Sequence, residues 1–193
     1  MYIEFQGKSP RVAESAFVAP TAMLIGDVVV GEESSIWFGV VLRADGGSIR
    51  IGARSAIEDN AVVHSRPHRT TVVGNDVTVG HCAVLDDCVI EDRALIGSTA
   101  VVLSGAIVGN STVVGAGSVV TVDAHVPAGI VGAGAPLRAR KPLEGRAAEW
   151  IAHSTTETLD QMHAYRRDGV GDPMLHETKS AARRRRPNVV ASP

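Results

Sequence analysis

The sequence predicts an all-β fold, a parallel β-helix of six-residue repeats, with one α-helix at its C-terminal end. Three observations predict it. Branched aliphatic residues recur at every sixth position over most of the first two-thirds of the chain. Glycine often follows such a rung at once, and a small residue often stands four positions after it. After Pro136 the repeat ends and helix-type patterning takes over. A period of six matches neither an amphipathic helix at about 3.6 nor an alternating strand at about 2. It matches a coil in which each repeat supplies one short strand and one corner.

Residues 1–17 form a short N-terminal segment, with a strand expected at Tyr2–Phe5 and a turn at Ser9-Pro10. The coil occupies 18–135. Val18, Leu24, Val30, Ile36 and Leu42 make the first ladder of rungs. Ile51, Ile57 and Val63 make the second, and Val73, Val79 and Leu85 the third. Ile90, Ile96, Val102, Val108, Val114, Val120 and Val126 make the fourth. Glycines after rungs, such as Gly31, Gly52, Gly74 and Gly97, are expected to supply corner angles that a Cβ would penalise. Small residues such as Ala22, Ser34, Ser55, Ala61 and Ala83 are expected to let coils stack closely. Segment 136–167 holds a helix opening near 143 after Pro142, with Trp150, Ile151, Leu159 and Met162 as its apolar positions. Residues 168–193, including Arg183–Arg186, read as a flexible, solvated tail.

Bulk properties agree with one domain and exclude several classes. The chain has 193 residues, 45% of them hydrophobic but only 4% aromatic, so Val, Ile, Leu and Ala must fill the core. A formal charge of −2 makes no electrostatic case for nucleic acid or membrane as a partner. Cys82 and Cys88 are too few for a disulfide framework, which points to a reducing, cytoplasmic setting. Both are expected to be small buried residues; a metal set of these two with His81 is the alternative. No leader peptide or membrane span is legible.

Three irregular steps interrupt the repeat. Leu42 to Ile51 is nine residues and holds Arg43, Ala44 and Asp45. Val63 to Val73 is ten and holds His64, Arg66 and His68. Leu85 to Ile90 is five and holds Asp86 and Asp87. Extra residues in a solenoid emerge as surface loops, often on its binding face.

Several runs resemble the γ-class carbonic anhydrase-like family of hexapeptide-repeat proteins. They are Ser35 to Asp45 (SIWFGVVLRAD), Ile57 to His64 (IEDNAVVH), Val77 to Cys88 (VTVGHCAVLDDC) and the closing Val131 to Pro136 (VGAGAP). The likeness spans about residues 5 to 165 and lies nearest the branch of phenylacetate and carnitine metabolism. It implies a left-handed coil, a homotrimer, and a metal site at each subunit interface. It implies His64 from one subunit and His81 from its neighbour as ligands. The family's third histidine falls on Asp86. That carboxylate is expected to ligate zinc in its place, with ferrous iron, or no metal at all, as the alternatives. Arg43 and Asp45 match a family pair that orders the site, and Asp59 is retained. Glu58 replaces a glutamine near the metal-bound water and would position or deprotonate that water. Ala56 replaces an asparagine, and a helix tyrosine of the closest branch falls on Thr158. The implied function is a hydratase or hydrolase acting on carbon dioxide, a related carbonyl or a thioester. One alternative is a non-catalytic trimer that binds a ligand or serves as a structural subunit. Another is an acyltransferase using His68 or His125 as base, which metal content and coenzyme A binding would distinguish.

Overall fold

In a computed structural model that describes residues 1–171, the rungs stack into seven turns of a parallel β-helix. The turns build three faces. The first carries the opening halves of Met23–Val30 and Val41–Ile51, then Val62–Ser65, Val84–Asp86, Val101–Val102 and Val119–Val120. The second carries the closing halves of those two long strands, then Thr70–Val73, Val89–Ile90, Ile107–Val108 and His125–Val126. The third runs from Phe17–Val18 through Ser35–Ile36, Ala56–Ile57, Thr78–Val79, Leu95–Ile96 and Val113–Val114 to Ile130–Ala133. Pairing is parallel along every face, with rung on rung: Leu42 pairs Val63, and Leu85 pairs Val102.

The rungs fill the bore. Leu24, Ile36, Leu42, Ile57, Val79, Leu85 and Ile96 are fully buried, and so are the corner residues Ala22, Ala61, Ala83 and Ala100. Ser34 and Ser55 stay buried because their hydroxyls donate to the Gly52 and Gly74 carbonyls of the next coil, at 2.6 and 2.7 Å. A buried hydroxyl needs such a partner.

The glycines after rungs do something other than expected. Gly31, Gly52, Gly74 and Gly97 have no positive φ. The left-handed corners belong to Glu33, Arg54, Asn60, Asp76, Cys82 and Arg93 instead. What the glycines supply is room. A Cβ on Gly52 would stand 2.5 Å from the carbonyl oxygen of Gly74, and one on Gly97 2.4 Å from the amide nitrogen of Ala116.

Other expectations shift too. The nine-residue step is no loop: it is the bend of one continuous strand, Val41–Ile51. Pro142 ends an extra strand, Arg138–Pro142, antiparallel to Ile130–Ala133, rather than opening the helix. The helix α1 spans Arg146–Arg167 after Gly145. It packs on the third face, where Ile151 meets Leu95 and Val113, and Met162 is fully buried. Tyr165 caps this contact among Phe17, Trp37 and Phe38, with ring centroids 5.3 to 5.8 Å away. Trp150, expected to be an apolar anchor, is 55% exposed. Cys88 is buried, but Cys82 is exposed because it occupies a left-handed corner that turns it outward. No described helix is long and apolar enough to cross a membrane. The Arg183–Arg186 run lies outside the described residues.

Candidate functional site

The three irregular steps fall at one corner, between the first and second faces, on consecutive coils. Stacking therefore gathers their charges. Arg43 pairs in register with His64, and His64 with Asp86. Asp86 Oδ1 lies 2.9 Å from His64 Nδ1, and Asp45 Oδ2 lies 3.1 Å from His64 Nε2. Arg43 reaches the same Asp45 oxygen at 2.9 Å. Arg66 completes the edge. Its Nη2 meets Asp86 at 3.2 Å, and its Nε and backbone N–H donate to Asp87 at 2.6 and 2.9 Å. Burial alone would raise the Asp87 carboxyl, but the hydrogen bonds and charge of Arg66 outweigh it and hold the group below the ordinary carboxylate range.

His81 stands at a different corner, between the third and first faces. Asp59 Oδ2 lies 3.1 Å from its Nδ1, and Glu58 Oε2 lies 3.2 Å from its Nε2. The backbone N–H of Phe38 donates to Asp59 at 3.2 Å, which fixes that carboxylate in place. Burial pushes the Glu58 carboxyl up, against the opposing pull of His81. The chain thus carries two separate clusters, each an imidazole between two carboxylates. A neutral imidazole donates from one nitrogen only, so both contacts are hydrogen bonds only when the ring holds its second proton.

Sequence reasoning singled out seven site residues. The fold brings Arg43, Asp45, His64 and Asp86 together on one edge, and Glu58, Asp59 and His81 on another. Among the described residues no three His, Cys, Asp or Glu side chains converge as a metal site within one chain. His68 and His125 are exposed and belong to neither cluster. Thr158 lines the same cavity as Glu58 and His81. Two contributors went unnamed as site residues, Arg66 and Asp87. The ten-residue step signalled the first.

The donors fit a divalent ion in their chemistry. Two donors of a tetrahedral zinc site lie about 3.4 Å apart, given bonds of about 2.0–2.1 Å. His64 Nδ1 and Asp86 Oδ1, at 2.9 Å, need to part by roughly half an ångström to match that spacing. Asp45 on the far nitrogen would then orient the ring, as outer carboxylates do for metal-bound histidines. One edge offers two donors, and a third must come from elsewhere.

These features define a class: a parallel β-helix protein with two charged histidine–carboxylate clusters on separate edges. The chain belongs to the hexapeptide-repeat family. The family model described as bacterial transferase hexapeptide (six repeats) matches residues 87–121. A solved hexapeptide transferase family protein from Anaplasma phagocytophilum is 32% identical with a TM-score of 0.82, covering 86% of this chain and 98% of that one. Gamma carbonic anhydrase 1, mitochondrial, of Arabidopsis thaliana is 40% identical over 165 residues, which is 81% of this chain and 60% of the relative. Carbonic anhydrase of Geobacillus kaustophilus is 44% identical over 81 residues, which is 42% of this chain and 44% of the relative. The matches span about half the length of these two curated relatives.

Proposed function

We propose that this chain is a γ-carbonic anhydrase-like hydratase or hydrolase whose site is completed between subunits of a homotrimer. The observation that carries the reading is the division of the half-sites. His64 and Asp86 face each other on one edge, while His81 waits on another. A cyclic trimer joins unlike surfaces of successive copies, so it can bring one edge against the other. His64 and Asp86 of one copy and His81 of the next would then hold a divalent ion, zinc first and ferrous iron second. When bound, such an ion supplies an acidified water as nucleophile toward carbon dioxide, a related carbonyl or a thioester.

The chain's own residues prepare that chemistry. Asp45 and Asp59 hold the two imidazoles in orientation. Arg43 and Arg66 anchor Asp45 and Asp86. Glu58, partly buried beside His81 Nε2, is placed to hold a proton taken from a reacting water. Its raised affinity for that proton suits the task, although its charge offsets part of the site's positive field. The setting we propose is cytoplasmic, in keeping with two free cysteines.

Elemental analysis of protein purified without chelator or histidine tag tests the reading. About one zinc or iron per chain, lost in Asp86→Ala, is expected. One observation favours a second reading, a metal-free trimer that binds rather than transforms its ligand: every ring nitrogen of His64 and His81 already faces a carboxylate. Protein that takes up neither zinc nor iron when either is added back would overturn the metal reading and leave a binding or structural trimer in front.

A further inference from the structure

The two histidine clusters occupy two corners of the coil. The third corner, between the second and third faces, carries a ladder of its own. Glu33, Arg54, Asp76, Arg93 and Ser111 hold the left-handed position there on successive coils, with φ between 51° and 55°. From Arg54 onward each of their backbone N–H groups donates to a carbonyl of the coil before, at 2.8 to 3.0 Å, so the corners stack in register. Their charges alternate in sign until Ser111, where the ladder turns neutral.

That change leaves one charge unmatched. Arg54 forks onto Asp76 through Nε and Nη2, at 2.6 and 2.7 Å, and engages both carboxylate oxygens. Arg93 gives the same two nitrogens to neutral oxygens, Ser111 Oγ at 3.2 Å and Asn110 Oδ1 at 2.9 Å. The acids beside it in the chain are engaged elsewhere: Glu91 accepts from the Asn110 N–H, and Asp92 from Asn75. Arg93 therefore makes no ion pair among the described residues. A guanidinium has five N–H donors, of which two are held here and three remain.

A cavity of about 470 Å³ opens at this point, between the corner and α1. Arg93 and Ser111 line its polar side. Leu143, Ala148 and Leu159, all half-buried, line its apolar side. Asp76 also borders it, with its charge matched by Arg54. The cavity thus sets one unmatched cation beside an apolar wall.

We infer that this cavity binds a small organic monocarboxylate with an apolar body. The Arg93 guanidinium, oriented by Ser111 and Asn110, keeps a second pair of N–H groups, on Nη1 and Nη2. Such a planar pair matches a carboxylate and gives it charge-assisted hydrogen bonds. Leu143, Ala148 and Leu159 take the apolar body. One unmatched cation calls for one negative charge; a second would be left facing Asp76. The size is that of an ordinary small-molecule site, of roughly 300–1,000 Å³.

Isothermal titration of the full-length protein tests this with three compounds of one shape. 4-tert-Butylbenzoate is the anion, 4-tert-butylbenzamide its neutral counterpart and 4-tert-butylbenzylamine the cation. The benzoate is expected to bind about tenfold more tightly than the amide, and the amine to give no saturable heat. Arg93→Gln should weaken the benzoate about tenfold and change the amide by less than about twofold. Ala148→Phe fills the cavity and should abolish binding of both. Equal binding of benzoate and amide, binding of the amine, no binding of the benzoate, or benzoate binding unchanged by Arg93→Gln would overturn the inference. If Ala148→Phe fails to fold, Arg93→Gln still decides. The cavity is lined by no residue of either histidine cluster, and the readout is heat of binding rather than metal content. This inference and the metal reading therefore fail separately.

Discussion

Replacing Gly52 by alanine should separate two reasons for glycine at a corner. The new Cβ would stand 2.5 Å from Gly74 O, 2.6 Å from Gly74 C and 2.8 Å from Asn75 Oδ1. Ordinary contact begins near 3.4 Å, so the neighbouring coil must retreat by about 0.9 Å. The Gly52 N–H donates to Val73 O at 2.8 Å, and a retreat of that size stretches the bond past its working range. Overpacking costs about 1–3 kcal/mol and the lost bond about 0.5–1.5, against about 0.4–1 gained by restricting the unfolded chain. The net loss lies between about 0.5 and 4 kcal/mol, centred near 2. Urea unfolding at fixed protein concentration measures it, since oligomerisation would otherwise shift the midpoint. Gly129 is the control. Its φ is +71° and a Cβ there meets nothing within 4 Å, so its cost is conformational alone. Asparagine, which tolerates that conformation, should be milder than alanine at Gly129 but no milder at Gly52. A Gly52→Ala protein within about 0.5 kcal/mol of the parent, the ordinary range for a neutral surface change, would refute the close-stacking argument.

Three further outcomes follow from the same geometry. Tyr165→Ala should cost about 2–4 kcal/mol by emptying the aromatic cluster, and limited proteolysis should then cut within α1 first. Cys82 should react with a thiol reagent at mild alkaline pH while Cys88 stays protected until unfolding, because burial pushes the Cys88 thiol up to about 12. Asp27 is held below the ordinary carboxylate range, chiefly by its hydrogen bond from Arg50 at 2.9 Å, with burial opposing. Its contribution to stability is therefore present above the unfolded carboxylate value and is lost as pH falls through the lowered folded one. Asp27→Asn should flatten that part of an acid-unfolding profile followed by circular dichroism.

The coil was legible because its signal is repeated: each rung, from Leu24 to Val126, must be aliphatic and its period must match its neighbours. The site's first edge was half legible. The irregular steps after Leu42, Val63 and Leu85 begin 21 and 22 residues apart, close to one full turn, so their stacking was already implicit. What stayed hidden depends on distance rather than pattern. Gly52 looks the same whether it serves an angle or a close approach. Strand Arg138–Pro142 is all exposed and has no alternation to betray it. Cys82 faces outward because of one backbone angle, and Trp37 is packed by Tyr165 from a helix more than a hundred residues away. The charge chain from Arg43 through His64 to Arg66 joins residues that only the third dimension aligns.

The central claim is that one site is built from two edges of successive copies, and complementation tests it most directly. His64→Ala and His81→Ala should each lose bound metal. Unfolded together in equal amounts and reassembled, they form interfaces in which His64 of one copy meets His81 of the next about one time in four. The account predicts recovery of about one quarter of the parent's metal per chain, with none in either variant reassembled alone. No recovery in the mixed trimers, with the parent itself regaining metal under the same treatment, would contradict it.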